Sequence, residues 1–154
     1  MKEWFQERQK QSLVVFLLLV AAIVYTTLRS NDPDSPEGQV RMVIKDLVAA
    51  AENRDIGPFE RHLSEDVQDE AGRNKEAILN TLRLLFLRHQ TITLNLVRMS
   101  VDDNTNPDII SASLTLLMGE TMVPNDRGNF FLTFRREGDR WKVWGVEWEH
   151  GYGY

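Results

Sequence analysis

The chain has 154 residues, 27% of them charged, no cysteine and a formal net charge of −5. That length leaves room for one ordinary domain, and the lack of cysteine removes both disulfides and a lipidated-cysteine anchor. The net charge falls to −7 over residues 31–154, which disfavours a nucleic-acid groove or a domain surface that binds anionic lipid heads, since both need clustered positive charge.

Residues 1–11 form an N-terminal stub, and residues 12–29 have the features of a transmembrane signal anchor. Leu13 to Leu28 contain no charge, Gly or Pro and stand between Lys10 and Arg29. A bilayer is spanned by about 17–25 apolar residues; Ser12 and the snorkelling stems of Lys10 and Arg29 cover the shortfall. A cleaved signal peptide is the competing reading, with Val20-Ala21-Ala22 before the cut. Apolar residues continue through Ile23, Val24 and Tyr25, however, so that cut would fall inside the hydrophobic segment. A buried core helix fits poorly, because no polar stripe interrupts residues 13–25. Lys2, Arg8 and Lys10 outnumber Arg29 near the span. The positive-inside rule then expects a single-pass protein of the inner or plasma membrane, its N-terminus cytoplasmic and its domain periplasmic or extracellular. Trp4, Phe5 and Tyr25 suit the interfaces.

Residues 30–36 form a short polar linker stiffened by Pro33 and Pro36. The domain is expected over residues 37–150, with a tail at 151–154. Ser35 suits an N-cap, Pro36 the first helical position and Glu37 the positive end of the helix dipole. Val40, Val43, Ile44, Leu47, Val48 and Ala51 continue a helical stripe, which Asn53-Arg54-Asp55-Ile56-Gly57-Pro58 ends. A short helix is expected from Pro58 to Leu63. A third runs from Asn74 to about His89, with Ile78, Leu82, Leu85, Phe86 and His89 along one side.

From Thr91 the pattern alternates. Ile92, Leu94 and Leu96 share one phase; Val97, Met99 and Val101 take the other, so a β-bulge is expected there. After the turn at 102–107, Ile110, Ala112, Leu114, Leu116 and Met118 mark the next strand. Residues 129–136 and 140–149 then form a hairpin around Glu137-Gly138-Asp139. A regular register would pair Phe134 with Val143, Leu132 with Gly145 and Phe130 with Glu147. One face would then carry Phe130, Leu132, Phe134, Trp141, Val143 and Glu147. The other would carry Phe131, Thr133, Trp144, Val146 and Trp148. The fold class is α+β: behind the transmembrane helix, three helices pack on a curved, mainly antiparallel sheet.

The domain resembles the nuclear transport factor 2-like superfamily, including its SnoaL-like branch, over roughly Gln39 to Glu149. Three phrases carry the resemblance. They are Ala50-Ala51-Glu52-Asn53-Arg54-Asp55, Gly72-Arg73-Asn74-Lys75-Glu76-Ala77-Ile78, and Phe134-Arg135-Arg136-Glu137-Gly138-Asp139-Arg140-Trp141-Lys142-Val143. These are marks of fold, not of reaction. The resemblance implies a cone with a cavity between helices and sheet, and frequent dimers through the sheet's outer face. Its members include isomerases, dehydratases, cyclases and noncatalytic binding domains. Some membrane-anchored members are subunits of envelope secretion and transport assemblies.

The expected pocket comprises Phe130, Leu132, Trp141, Glu147 and His89. Glu147, a carboxylate on an apolar face, is the candidate base; at the wet mouth of the cone, or paired with an arginine, it would be an ordinary surface acid. His89 either points into the same space or caps its helix end, and His62 is a weaker candidate. Related isomerases combine an acidic base with a tyrosine, yet no tyrosine falls within the expected helices and strands of the domain. No spacing suggests a metal site, and no phosphate loop or nucleophile elbow suggests a cofactor or covalent catalysis. Arg135, Arg136, Arg140 and Lys142 are explained as a solvated rim.

Two classes of function follow. One is a noncatalytic, membrane-tethered module that binds a protein or a small apolar ligand. The other is a small-molecule isomerase or hydro-lyase using Glu147 with His89 or His62. Phe131, Trp144, Val146 and Trp148 are the expected homodimer or partner interface on the outer face, unless the tail or the loop before Asn74 covers them.

Overall fold

The structure, a computed structural model, describes residues 32–121 and 123–150. The expected stub and anchor, the start of the linker and the tail lie outside the described residues. Among those described, no helix is long and apolar enough to cross a membrane.

Helix α1 spans Pro36–Glu52. Ser35 is its N-cap: the hydroxyl accepts the Gly38 N–H at 3.0 Å and donates to the Asp32 carbonyl at 2.6 Å. The entering turn lies so close to the helix that a Cβ on Gly38 would sit 1.9 Å from the Asp32 oxygen. Val40 and Ile44 are fully buried on the inner side of α1. Helix α2 spans Gly57–His62, and helix α3 spans Lys75–Arg88 behind an Asn74 cap. The Asn74 side chain accepts the Ala77 N–H at 3.0 Å. Leu79 and Phe86 anchor α3, whereas Leu84 and Leu87 are exposed on it.

Five strands follow the order β1-β5-β4-β3-β2. They are β1 Leu63–Asp69, β2 Thr93–Asp103, β3 Ile109–Gly119, β4 Asp126–Glu137 and β5 Arg140–His150. Pairings among β2, β3, β4 and β5 are antiparallel, and β1 runs parallel to β5. Strand β1 has no counterpart in the sequence pattern, which leaves residues 64–73 as a loop. Its buried residues are Leu63, Ser64 and Val67, with the exposed Glu65 and Asp66 between them, a pattern without strand alternation. The reason lies in its pairing, whose register slips between Leu63 and Gln68.

The bulge expected at Val97 is present, between Leu96 and Arg98. A second bulge was not expected. Phe134 pairs with Val143 as the regular register requires, but Thr133 then pairs with Gly145, leaving Trp144 as the extra residue. Every later pair moves by one, so each side chain changes face. Leu132 lies opposite Val146, Phe131 opposite Glu147 and Phe130 opposite Trp148. The expected faces are corrected accordingly. Val146 and Trp148 join Phe130, Leu132 and Phe134 on the inner face, and Glu147 goes to the outer face with Phe131. The two faces are not both apolar: the outer one also carries Ser100, Ser111, Ser113 and Asn129, by their register with Phe131 and its neighbours.

The core lies between the inner face and the helices. Phe134, Trp141, Val143 and Ile110 pack with Val40 and Ile44 of α1, and with Leu63, Val67 and Leu79. Full burial of one such large apolar side chain contributes about 1.5–3 kcal/mol. Gly138, at φ +65, allows the left-handed backbone at the β4–β5 turn, where a Cβ would be strained.

Candidate functional site

The residues named as pocket and catalytic candidates do not converge. Trp141 is a core residue with 4% exposure, and the Arg136 guanidinium lies 5.6 Å from its ring centroid. Leu132 and Phe130 are half-buried on the inner face. Phe130 stacks on Trp148, with centroids 5.5 Å apart and planes 9° from parallel. Both rings lie against Gly128. A Cβ on Gly128 would lie 2.9 Å from Phe130 Cε2 and 3.1 Å from Trp148 Nε1.

Glu147 is exposed on the outer face. His89 is the C-cap of α3, and its Nδ1 meets the Glu120 carboxylate beyond β3. His62, at the end of α2, meets Asp46 of α1 through Nε2 at 2.7 Å. The three groups thus occupy three separate places. His89 and His62 each face a carboxylate of their own, and Glu147 stands apart from both on the outer face. Among the described residues no three His, Cys, Asp or Glu side chains gather as metal ligands.

The hollows of the described surface include two open grooves. The larger, about 340 Å³, lies between α1 and β2 and is lined by Lys45, Val48, Ala49, Glu52, Leu94, Asn95 and Leu96. The smaller, about 180 Å³, runs along α3 past Leu84, Leu85 and His89. Neither is lined by Phe130, Leu132, Trp141 or Glu147.

Of the expected interface residues, Phe131 and Trp144 share the outer face; Val146 and Trp148 do not. Trp144 lies under Arg135, whose guanidinium carbon is 5.2 Å from its ring centroid. Arg135 is the centre of a polar cluster rather than part of a solvated rim. It donates to Glu137 at 2.7 Å, to Asp66 at 3.1 Å and to the Ser64 hydroxyl at 3.1 Å. Ser64, with no exposure, donates in turn to Glu137 at 2.5 Å. The Ser64 hydroxyl, and then Arg135, hold the Glu137 carboxyl below its ordinary value of 4.5 despite burial. Glu137 and Asp66 raise the Arg135 value in turn. Hydrogen bonds and opposite charge favour the ionised forms here. The cluster ties the edge strand β1 to β4 across β5. Sequence reasoning missed it because Ser64 and Asp66 stand in a segment with no strand signal.

No family model matches the sequence, and no curated protein matches it. Solved structures do share its architecture. Bd1075 of Bdellovibrio bacteriovorus superposes with a TM-score of 0.66 at 16% identity, over 77% of this chain and 41% of that one; this chain thus spans less than half of that protein. A nuclear transport factor 2-like protein of unknown function from Pseudomonas putida KT2440 gives 0.65 at 18% identity, over 83% and 89%. A candidate dehydratase of the same family from Streptomyces avermitilis gives 0.63 at 17% identity, over 75% and 95%. At such identities the likeness is one of fold. The domain has the α+β fold of the nuclear transport factor 2-like, cystatin-like proteins.

Proposed function

We propose that the protein is a noncatalytic binding and scaffold module, tethered to the inner or plasma membrane by residues 12–29 with its domain on the periplasmic or extracellular side. The observation that carries this reading is the outward position of Glu147. Without it, the part of the inner sheet face that is not packed into the core offers Phe130, Leu132, Val146 and Trp148, an apolar patch that itself carries no acid or base for proton transfer. His89 and His62, each held by a carboxylate at the margin, do not supply that missing group. An apolar inner face suits a small apolar ligand, and the tether suits a subunit of an envelope assembly. Dehydratases with this fold would require the opposite arrangement, a titratable group turned inward.

The test is native mass spectrometry of the full chain purified in detergent, combined with turnover assays on any small molecule it retains. Retention without turnover is expected. Turnover that falls about 10²-fold or more in Glu147→Gln, the usual scale for loss of an acid–base group, would overturn the proposal in favour of an isomerase or hydro-lyase.

A further inference from the structure

We infer that the groove between α1 and β2 is a strand-addition site, which takes an extended polypeptide segment with an acidic residue toward its N-terminal end and a basic one toward its C-terminal end. Strand β2 is an edge of the sheet. Residues Leu94 and Leu96 pair with Met118 and Leu116 of β3. The Leu94 N–H does not bond to β3; it donates at 3.0 Å to Glu52 of α1. That direction sets the whole local pattern, because the bonding direction alternates along an antiparallel strand. The Leu94 carbonyl and both backbone groups of Leu96 therefore point to the free edge. They form a ready template for another strand.

Three features confine the template. At one end Glu52 occupies the place that an incoming carbonyl would take on Leu94. At the other, the Val97 bulge interrupts the register, and Arg98 and Asp102 follow beyond it. Between them lies the groove of about 340 Å³, walled by Val48, Ala49, Leu94 and Leu96. It receives the alternate side chains of the added strand. The opposite sheet edge differs. Along β1 the exposed side chains are Glu65, Asp66 and Gln68, all polar.

Charge sets the polarity of the occupant. Lys45 and Glu52 stand about two helical turns apart at the ends of the groove, and Lys45 enters none of the ion pairs found among the described residues. A segment antiparallel to β2 passes Lys45 first and Glu52 last. An acid, two apolar residues at alternate positions and then a base complement the groove in that order. This inference does not depend on the noncatalytic reading: an enzyme with this fold would carry the same edge.

The test is titration of the full chain in detergent with the peptide acetyl-Glu-Thr-Val-Thr-Val-Thr-Lys-amide, followed by amide NMR. Saturable shifts at Leu94, Leu96, Val48 and Ala49 are expected. N-methylation of the first valine, which faces Leu96, removes one strand hydrogen bond and blocks close approach. It should weaken binding by about tenfold or more. The same peptide in reversed order should bind less tightly, and the Lys45→Glu, Glu52→Lys double variant should prefer the reversed peptide. Absence of saturable shifts at millimolar peptide, shifts centred elsewhere, or equal binding of the N-methylated peptide would each overturn the inference. Turnover of a small molecule would bear on the noncatalytic proposal alone.

Discussion

Glu147 lies directly opposite Phe131 rather than Phe130. One inserted residue, Trp144, accounts for the difference. It moves the carboxylate to the outer face and brings Trp148 onto Phe130, where the two rings stack. The chemistry available to the inner face follows from that single insertion.

Glu147→Gln should be nearly silent toward folding. The side chain is exposed, and surface substitutions of this kind stay within about 0.5 kcal/mol. Urea denaturation of the full chain checks this; a loss above about 2 kcal/mol would show that the carboxylate is buried.

Deletion of Trp144 should leave the two faces of β5 as they are. Without the extra residue, Val143 and Gly145 become neighbours, and the pairs Thr133–Gly145, Leu132–Val146 and Phe131–Glu147 continue in a regular register. Trp144→Ala removes a half-exposed ring and should cost about 1 kcal/mol, and the deletion about as much. Urea denaturation checks both; a loss above about 3 kcal/mol on deletion alone would show that the bulge, and not the ring, is what the fold needs.

Gly128→Ala should destabilise although it only adds a methyl. That methyl would meet Met118 Cε at 2.9 Å and the two stacked rings at 2.9 and 3.1 Å. The methionine can yield; the rings are confined by each other. A cost of about 1–3 kcal/mol is expected, with a change in near-ultraviolet circular dichroism from Phe130 and Trp148.

The Ser64–Glu137 contact should make stability depend on acid pH. Glu137 is held below its ordinary value of 4.5, first by the Ser64 hydroxyl and then by Arg135. A depressed carboxyl stabilises the fold fully above its unfolded value and loses that contribution as pH falls through the folded one. Ser64→Ala should thus cost about 1–2 kcal/mol near neutral pH, with the difference from wild type shrinking below about pH 4.5. A pH-independent difference would show that the serine acts through packing only.

Topology can be checked with protease added to intact spheroplasts. With Lys2, Arg8 and Lys10 against Arg29, digestion should remove the domain and spare an N-terminal epitope. Full protection of the domain would reverse the orientation. A released domain beginning near Ile23 would identify a cleaved signal.

Local rules made much of this fold legible. Ser35 and Asn74 cap α1 and α3 because short polar side chains satisfy the first free N–H groups, and both caps are formed. The Val97 bulge was visible as a slip in apolar phase. The Trp144 bulge left a fainter sign of the same kind. Val143 and Val146 are three apart, and Glu147 and Glu149 alternate as solvent positions do. With Trp144, Val146 and Trp148 apolar in the other phase, a regular strand fitted equally well. Nothing local marked β1, because its placement rests on a parallel partner about eighty residues away in sequence.

The sequence by itself determined the acidic, cysteine-free composition, the apolar run at residues 13–28, the three helices and the four antiparallel strands, since each depends on spacing, caps and turn chemistry within a few residues. Tertiary structure decided which face each residue of β5 takes, that Arg135 gathers Ser64, Asp66 and Glu137, and that β2 is left with a free edge beside α1. Those outcomes depend on register and strand order. Both are set by contacts between distant segments, and a one-residue shift exchanges core for solvent.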